Sequence, residues 1–280
     1  MQTFFQCGRY GFQTGNRGNK PLVMGVLNVT PDSFSDGGQF LSLAAAIDRA
    51  EQMIAEGVDI IDIGGESTRP GAKPLPLQEE LDRVMPVLYA LRDCGRPLSI
   101  DTWKPQVMRE ALLAGVDMIN DITALTAPGA VGAVVGSDCA LCIMHMQRDP
   151  QTMQTSPQYQ DVVLEVTAYL QDRIKVLEDA GIERARLCVD PGFGFGKTLE
   201  HNLDLLKNVG QIKKSLGLPL LAGLSRKAII GAITGKPPQQ RMAGSIAAAL
   251  FAAENGASIL RVHDVAETVD ALKVWQRATY

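Results

Sequence analysis

The sequence predicts an α/β fold, a (β/α)8 barrel preceded by a short N-terminal β-hairpin. Eight short apolar runs recur along the 280 residues, and the segments between them have the periodicity of helices. Each run is followed by polar residues or glycine. Alternation of strands and helices favours parallel pairing, and eight strands favour closure into a barrel whose active site lies at the strands' carboxyl ends. An open doubly wound sheet is the structural alternative.

The predicted strands are taken in chain order, each with the residues that follow it. The strands are Leu22–Leu27, Val58–Ile63, Leu98–Ile100, Val116–Ile119, Ala140–Met144, Leu187–Val189, Leu218–Leu224 and Ser258–Val262. The residues after them are Asn28, Gly64 to Ser67, Asp101, Asn120 with Asp121, His145, Asp190, Ser225 to Lys227, and His263. In a closed barrel these polar groups meet at one mouth, so the pattern is typical of an enzyme.

The remaining elements are predicted from alternation, apolar faces and stop signals. Residues 3–17 alternate as a hairpin does, and we expect residues 1–20 to cap one end of the barrel. The longest helix is expected over Gln158–Asp179, and Pro86 is expected to kink or divide a helix within 77–93. The length fits one domain over residues 1–280.

Composition excludes several classes of partner. The formal net charge of −4 comes from 27 basic and 31 acidic residues that are well mixed, which argues against nucleic acid. The longest apolar run, Ile246–Ala253, is too short to cross a bilayer, and the start lacks the pattern of a secretory signal. Five cysteines without scaffold-like spacing predict a reduced, cytoplasmic setting.

The loop after the first strand is the most unusual segment. It runs from Asn28 to Gly38 and combines Pro, Asp, Ser and two glycines with a central aromatic residue, Phe34. An ordinary turn with one aromatic tucked inward is one interpretation. A lid that covers an aromatic substrate and excludes water is the other.

This loop and six further motifs resemble the dihydropteroate synthases, the folate-pathway enzymes that sulfonamides inhibit. The other motifs are Asp62 to Gly71, Ser99 to Thr102, Asn120-Asp121, Asp190 to Lys197, Ser225 to Lys227, and Arg261 to His263. The similarity runs from about residue 22 to the C-terminus, with the motifs in the family's order. It implies a TIM barrel, Mg²⁺ as cofactor, a homodimer, and condensation of 6-hydroxymethyl-7,8-dihydropterin pyrophosphate with p-aminobenzoate.

Three strand-end residues suit a pterin. A pterin edge presents adjacent N–H donors and a carbonyl acceptor, which carboxylates and an amide can bind in a fixed plane. Asp101, Asn120 and Asp190 supply those groups, and the resemblance implies that they bind the pterin. Each alone could instead cap a helix or close a loop. The resemblance adds Met144 and Phe195 to this pocket.

Basic residues at the last two strand ends suit an anion. Alternation turns Ile259, Arg261 and His263 inward, and barrels often bind phosphate near these loops. The resemblance implies that Arg261, His263 and Arg69 bind pyrophosphate. It also implies that Asn28 positions the pyrophosphate and serves as an oxygen ligand of Mg²⁺, which prefers such ligands.

The catalytic residues expected are Asp101, Lys227, Arg261 and His263. Lys227 could form a Schiff base or donate to the pterin carbonyl, and the resemblance favours donation. Asp101 would stabilise the cation formed as pyrophosphate departs. The chain departs from the family at Ala228, where many members have serine or threonine.

The aminobenzoate pocket is expected from the first two loops. The resemblance assigns it to Phe34, Thr68, Pro70 and Ala228. Because Ala228 lacks a hydroxyl, its position puts aminobenzoate affinity in question and leaves the reaction class unchanged. Asp62, Glu66 and His145 are expected to be structural or supporting groups.

Two rival functions remain open at this level. A barrel methyltransferase that passes a methyl group from a folate to a corrinoid would share the acids, with less need of Phe34 and the anion site. A catalytically silent pterin-binding paralogue would be signalled by loss of Asn28, Lys227 or Arg261, and all three are present. Two-metal hydrolase chemistry is poorly supported, since the chain has three histidines and no HxH or HExxH motif.

Overall fold

The computed structural model describes residues 3–14, 20–29, 38–68 and 71–279, with side chains from residue 43 onward in the first helix. Its strands are β1 Thr3–Cys7, β2 Tyr10–Thr14, β3 Leu22–Asn28, β4 Ile60–Gly64, β5 Leu98–Asp101, β6 Met118–Asp121, β7 Ala140–Met144, β8 Leu187–Asp190, β9 Leu221–Ala222 and β10 Ile259–Val262. Its helices are α1 Gly38–Glu56, α2 Leu77–Leu91, α3 Pro105–Leu113, α4 Ala130–Val134, α5 Val162–Asp179, α6 Leu199–Lys207, α7 Val209–Leu216, α8 Ala228–Thr234, α9 Met242–Glu254 and α10 Val265–Thr279.

The eight strands β3 to β10 form one parallel sheet wrapped into a barrel. Their order is β8-β7-β6-β5-β4-β3-β10-β9, and an isolated parallel bridge between Val189 and Leu220 joins the two ends. Helices cover the outside. The predicted (β/α)8 barrel and the antiparallel hairpin, β1 with β2, are confirmed.

Several element boundaries differ from the prediction. The seventh barrel strand is limited to Leu221–Ala222, and Pro219, which has no backbone N–H to donate, lies two residues before it. The helix containing Pro86 runs unbroken over Leu77–Leu91. The longest helix is α1, with 19 residues against 18 for α5. The helix predicted over Gln158–Asp179 begins later, at Val162, because Asp161 caps it by accepting from the backbone N–H groups of Val163 and Leu164.

Strand alternation divides the apolar residues between two cores. Ile61, Ile63 and Leu260 point outward into the large core shared with the helices. Met24, Ile60, Met118 and Ile259 point into the barrel, where Phe5 and Cys7 of the hairpin join them. These two hairpin residues are fully buried and close the amino end of the barrel interior. The polar groups of the barrel are therefore left to the opposite end, where the strands finish.

No helix within the described ranges is both long enough and apolar enough to cross a membrane.

Candidate functional site

The mouth of the barrel is built from strand ends that lie in register. Asn28 pairs with Gly64, Gly64 with Asp101, and Asp101 with Asn120. A side chain at Gly64 would place its Cβ 3.6 Å from Cβ of Asp101 and 3.8 Å from Oδ1 of Asn28. The glycine therefore keeps open the space between the predicted metal ligand and the predicted pterin acid.

Arg261 ties two carboxylates together at this mouth. Its Nε donates to Oδ2 of Asp62 at 2.6 Å, and its Nη2 donates to Oδ2 of Asp101 at 2.6 Å. Asp62 is fully buried one layer below the strand end, and its Oδ2 also accepts from Nδ2 of Asn120 at 3.3 Å. Two predicted pterin residues and the predicted anion-binding arginine thus form one network around Asp62.

Burial dominates the electrostatics of this network. Burial raises the pKa of Asp101 to about 7, against the opposing attraction of Arg261. Burial lowers the pKa of the Arg261 guanidinium, but the adjacent carboxylates of Asp62 and Asp101 outweigh it and leave that pKa raised. Arg261 is therefore a permanent cation beside an acid that titrates near neutral pH.

A second acid–base pair faces the first across the mouth. The position that a Cβ at Gly223 would occupy lies 3.6 Å from Nζ of Lys227 and 3.9 Å from both Oδ2 of Asp190 and Cβ of Arg261. Burial lowers the pKa of Lys227 to about 8, with Asp190 opposing the shift. Burial also raises the pKa of Asp190. Asp190, Lys227 and Arg261 therefore converge on one point, as the sequence predicted.

Lys227 is held by the loop that follows β8. Its Nζ donates to the carbonyl of Phe193 at 2.6 Å and lies 4.8 Å from the centroid of the Phe195 ring. Both Lys227 and Phe195 are half-buried. Met144 ends β7 in register with Asp190 and is buried beside it. The predicted members of the pterin pocket are therefore brought together.

A buried ammonium organises the same loop from behind. Nζ of Lys197 donates to the carbonyls of Gly192 and Phe195, each at 2.9 Å, and to the carbonyl of His145 at 3.3 Å. It also lies 3.0 Å from Nδ1 of His145. Gly192 has φ +72°, and a Cβ there would lie 1.9 Å from the His145 carbonyl oxygen. Only glycine can make this approach.

His263 lies on the anion side of the mouth, just beyond β10. Its Nδ1 is 3.0 Å from the hydroxyl of Ser225, and its backbone N–H donates to the same oxygen at 3.2 Å. The neighbouring Arg226 is directed away, because its guanidinium binds the carboxylate of Asp264. Of the basic residues near these two strand ends, Lys227, Arg261 and His263 remain at the mouth.

The loop after β4 is anchored by a buried charge network. Nζ of Lys104 binds Oε2 of Glu66 at 2.5 Å and also binds Oε2 of Glu80. The hydroxyl of Thr102 donates to Oε1 of Glu80 at 2.7 Å. Since Thr102 directly follows Asp101, this network joins the pterin side of the mouth to the loop that leads to Thr68.

The remaining predicted site residues are divided between surface and undescribed positions. Thr68 is half-buried, and Ala228 is exposed at the start of α8. Phe34, Arg69 and Pro70 lie outside the described residues. Asp62, Lys104 and Lys197 form hydrogen bonds that the sequence did not predict. The one available signal for Asp62 was its polar side chain at an inward-facing position between Ile60 and Gly64.

The donor set at the mouth suits a metal held mainly by substrate. In the described residues, no group of three His, Cys, Asp or Glu side chains could hold a metal ion. The Asn28 amide oxygen instead stands near the opening over Gly64. One neutral oxygen donor fits Mg²⁺, which retains water and binds substrate phosphate.

Comparison with known proteins is consistent with this geometry. A family model described as "Pterin binding enzyme" matches residues 24–263. The chain is 54% identical over 259 residues to the dihydropteroate synthase of Haemophilus influenzae, covering 91% of this chain and 93% of that protein.

Two solved structures superpose closely on the chain. The dihydropteroate synthase of Burkholderia cenocepacia, complexed with 7,8-dihydropteroate, matches with a TM-score of 0.90 at 51% identity, covering 99% of this chain and 97% of that one. The enzyme of Xanthomonas albilineans, with 4-aminobenzoic acid, matches with a TM-score of 0.91 at 49% identity, covering 99% and 98% of the two chains.

Proposed function

This chain belongs to the family of pterin-binding enzymes, and we propose that it is a dihydropteroate synthase. It joins 6-hydroxymethyl-7,8-dihydropterin pyrophosphate to p-aminobenzoate, giving 7,8-dihydropteroate and pyrophosphate. The observation that carries the proposal is the convergence of Asp190, Lys227 and Arg261 around Gly223, facing Asp101 and Asn120.

The acids and the amide suit the pterin edge. Asp101, Asn120 and Asp190 are each 6–7% exposed, so their polar atoms are largely shielded from water. Such groups are costly to bury unless a ligand completes their hydrogen bonds. Asp101 and Asp190 would accept from the N–H groups of the pterin, and Lys227 would donate to its carbonyl oxygen.

The reaction places positive charge next to Asp101. The bond between the pterin methylene carbon and the pyrophosphate oxygen breaks, the amine nitrogen of p-aminobenzoate bonds to that carbon, and the nitrogen then loses a proton. The ionised carboxylate of Asp101 stabilises the cationic character of the pterin as the leaving group departs. Because the carbon is strongly electrophilic, a strong general base is unnecessary.

Arg261 and His263 receive the leaving group. Arg261 is cationic at all working pH values, and Ser225 fixes the ring of His263. Arg69, by family resemblance, completes the anion site from the loop after β4. Asn28 would hold Mg²⁺ together with the pyrophosphate, and the ion when bound neutralises charge that develops on the leaving oxygen.

The aminobenzoate site is proposed beside the loops after β3 and β4. Thr68 contributes from the described residues, and Phe34 and Pro70 are assigned by resemblance. Ala228 lies exposed at the start of α8 and offers no side-chain hydroxyl. We expect the Ala228→Ser variant to lower the KM for p-aminobenzoate with little change in kcat, because a neutral hydrogen bond contributes about 1 kcal/mol.

A homodimer is proposed through the face formed by α6, α8 and α9. Leu203, Ile230 and Ala248 line an apolar depression there, with Ile233 and Phe251 exposed beside it at 58% and 47%. Exposed apolar groups clustered in this way favour burial against a second copy. The Phe251→Glu variant should sediment as a monomer. The matched variant Leu113→Glu, at an 81% exposed leucine on α3, should not alter the oligomeric state.

A reduced cytoplasmic setting is also proposed. All five cysteines are free thiols, and four of them are buried. Free buried thiols persist where disulfides do not form.

The activity is tested by following dihydropteroate formation by mass spectrometry, with Mg²⁺ and with a chelator. A Mg²⁺-dependent product of the condensed mass is expected. Tight binding of the pterin pyrophosphate without product would favour a silent paralogue, and failure to bind it would contradict the proposed function. If dihydropteroate forms equally well with the chelator, the Mg²⁺ assignment is wrong and the proposed reaction is unaffected.

A further inference from the structure

The guanidinium of Arg261 has its side-on donor pair divided between two carboxylates. Nε donates to Asp62 and Nη2 donates to Asp101, both at 2.6 Å. These two donors point the same way, and a single carboxylate can accept both in a bidentate pair. Each of the two acids therefore accepts from only one of these two donors.

Asp62 has the acceptor needed to take both donors. Its Oδ2 accepts from Nε of Arg261 and from Nδ2 of Asn120, whereas its Oδ1 is buried without a hydrogen-bond partner in the described part of the chain. Asp62 is fully buried, so solvent does not satisfy this oxygen. A buried, unused carboxylate oxygen is costly, and a cationic donor is already bound to its neighbour.

Asp101 has the opposite requirement. It is 7% exposed at the mouth, and in the proposed function its carboxylate accepts from the pterin and faces the developing cation. In this structure Nη2 of Arg261 occupies its Oδ2. A substrate that donates hydrogen bonds to both oxygens of Asp101 must therefore either share Oδ2 with Arg261 or displace the guanidinium from it.

We propose that Arg261 moves between the two acids, transferring Nη2 from Oδ2 of Asp101 to Oδ1 of Asp62 when the pterin binds. The inference rests on the proposed function and deepens it. Asp62 is a positioning residue that acts through Arg261: its two oxygens then hold Nε and Nη2 together. Asp101 is released to the substrate, and the guanidinium stays at the anion side of the mouth.

Gly64 and Asn120 make the movement possible. Gly64 has no side chain between Asn28 and Asp101, where an added Cβ would lie 3.6 Å from Cβ of Asp101 and 4.0 Å from its Oδ2. Asn120 lies in register with Asp101 and keeps one oxygen of Asp62 oriented throughout. The transfer exchanges one charge-assisted hydrogen bond for another, so it carries no large energetic penalty.

The test compares binding of the pterin pyrophosphate to the full-length wild type and to Asp62→Asn by titration calorimetry. Asparagine retains one acceptor for Nε but presents an N–H₂ group in place of the second oxygen. We expect the Kd to rise on the order of 10- to 100-fold, the scale of one charge-assisted hydrogen bond. The KM for p-aminobenzoate should not change.

Asp117→Asn is the matched control. Asp117 is equally buried and pairs with Arg9 at the opposite end of the barrel, through Nε at 2.9 Å. It should lower the melting temperature without changing the Kd for the pterin pyrophosphate. In the Arg261→Met variant, the further change Asp62→Asn should raise the Kd for the pterin pyrophosphate by less than about 2-fold. Asp62 is proposed to act through Arg261, and the effects of two such substitutions on binding energy do not add.

The outcomes separate this inference from the proposed function. If the wild type fails to bind the pterin pyrophosphate, the proposed function is wrong. If it binds and Asp62→Asn binds equally well, or loses the same affinity with and without Arg261, the transfer is wrong. A crystal structure with bound pterin in which Nη2 remains on Asp101 would also overturn it, whereas Nη2 within hydrogen-bond distance of Oδ1 of Asp62 would support it.

Discussion

Nζ of Lys197 lies 3.0 Å from Nδ1 of His145, so the loop after β8 is tied to the first residue beyond β7. His145 is neutral at this contact, since burial and the nearby lysine lower its pKa to about 3. Burial also lowers the pKa of Lys197 to about 7. The ammonium nevertheless has three carbonyl acceptors, which together hold the loop that supports Lys227.

Replacing Lys197 by methionine should weaken pterin binding. The carbonyls of Gly192 and Phe195 would lose their common donor, and the Phe193 carbonyl that orients Lys227 would lose its fixed position. We expect a rise of about 10-fold or more in the Kd for the pterin pyrophosphate, the scale of one charge-assisted hydrogen bond, measured by calorimetry.

Lys213→Met is the matched control for this variant. Lys213 is half-buried and, like Lys197, donates to a backbone carbonyl, that of Gly256 at 2.8 Å, before β10 begins. The Lys213→Met variant should change the stability of the fold without changing the Kd for the pterin pyrophosphate. Equal affinity losses in the two variants would contradict a specific role for Lys197.

The pH profile should report the ionisation of Asp101. Burial raises its pKa to about 7, and the proposed reaction requires the ionised form. As pH falls below that value the carboxyl gains a proton, so kcat/KM for the pterin pyrophosphate should fall about tenfold per pH unit well below the pKa. Steady-state rates measured from about pH 5 to about pH 9 cover the ionisation of Asp101.

The Asp101→Asn variant tests the same assignment. We expect a rate loss on the order of 100- to 1000-fold, because the neutral amide cannot stabilise the cation electrostatically. The acid limb near pH 7 should disappear from its profile. Wild-type rates in this variant would show that charge on residue 101 is unnecessary.

Removing the positive charge of Lys104 should destabilise the fold. In Lys104→Met, the carboxylates of Glu66 and Glu80 would be buried without their cation, and Glu80 is fully buried. Breaking a buried pair by removing one partner costs roughly 3–5 kcal/mol of the free energy of unfolding. Urea denaturation followed by circular dichroism measures this change.

Two further variants distinguish buried charge from lost packing around Lys104. The double variant Lys104→Met with Glu80→Gln should recover part of the stability, because one unpaired charge is removed. Lys175→Met breaks an exposed pair with Asp179 and should leave the denaturation midpoint unchanged. No recovery in the double variant would assign the loss to packing.

Gly192→Ala should displace the loop after β8. The new Cβ would lie 1.9 Å from the His145 carbonyl, and φ there is +72°. Gly181→Ala is the control, since its φ is +92° and nothing lies within 4 Å of the added atom. The control should lose about 1–2 kcal/mol from backbone strain alone. Gly192→Ala should lose more and also bind the pterin pyrophosphate more weakly, as measured by denaturation and calorimetry.

Much of the mouth was predictable because parallel strands impose a simple geometry. Strand alternation predicts that Arg261 and Ile259 face inward, and the structure places Ile259 in the barrel interior with Leu260 outside. Strand ends meet at one edge, so Asp101 and Asn120 could be predicted to lie together, and they are in register. These predictions need only a period of two and a common direction.

The ion pairs of the site were not predictable in the same way. Asp62 appeared to be a supporting group, yet it binds Arg261 across 199 residues of chain. Lys197 appeared only as the last residue of the motif Asp190 to Lys197, yet its ammonium binds carbonyls and lies beside the ring of His145. Asp62 lies between Ile61 and Ile63, and Lys197 lies between Gly196 and Thr198; neither sequence context identifies the partner.

The sequence by itself determined the order of strands and helices, the inward-facing positions, and the types of group at the mouth. Only the tertiary structure decided that Arg261 divides its donors between Asp62 and Asp101, and that Lys104 lies between two glutamates. The reason is the range of the interactions. Periodicity positions a side chain to one face of a strand, whereas a hydrogen bond forms only within a few tenths of an ångström of its preferred distance. Closure of the whole barrel sets positions at that scale.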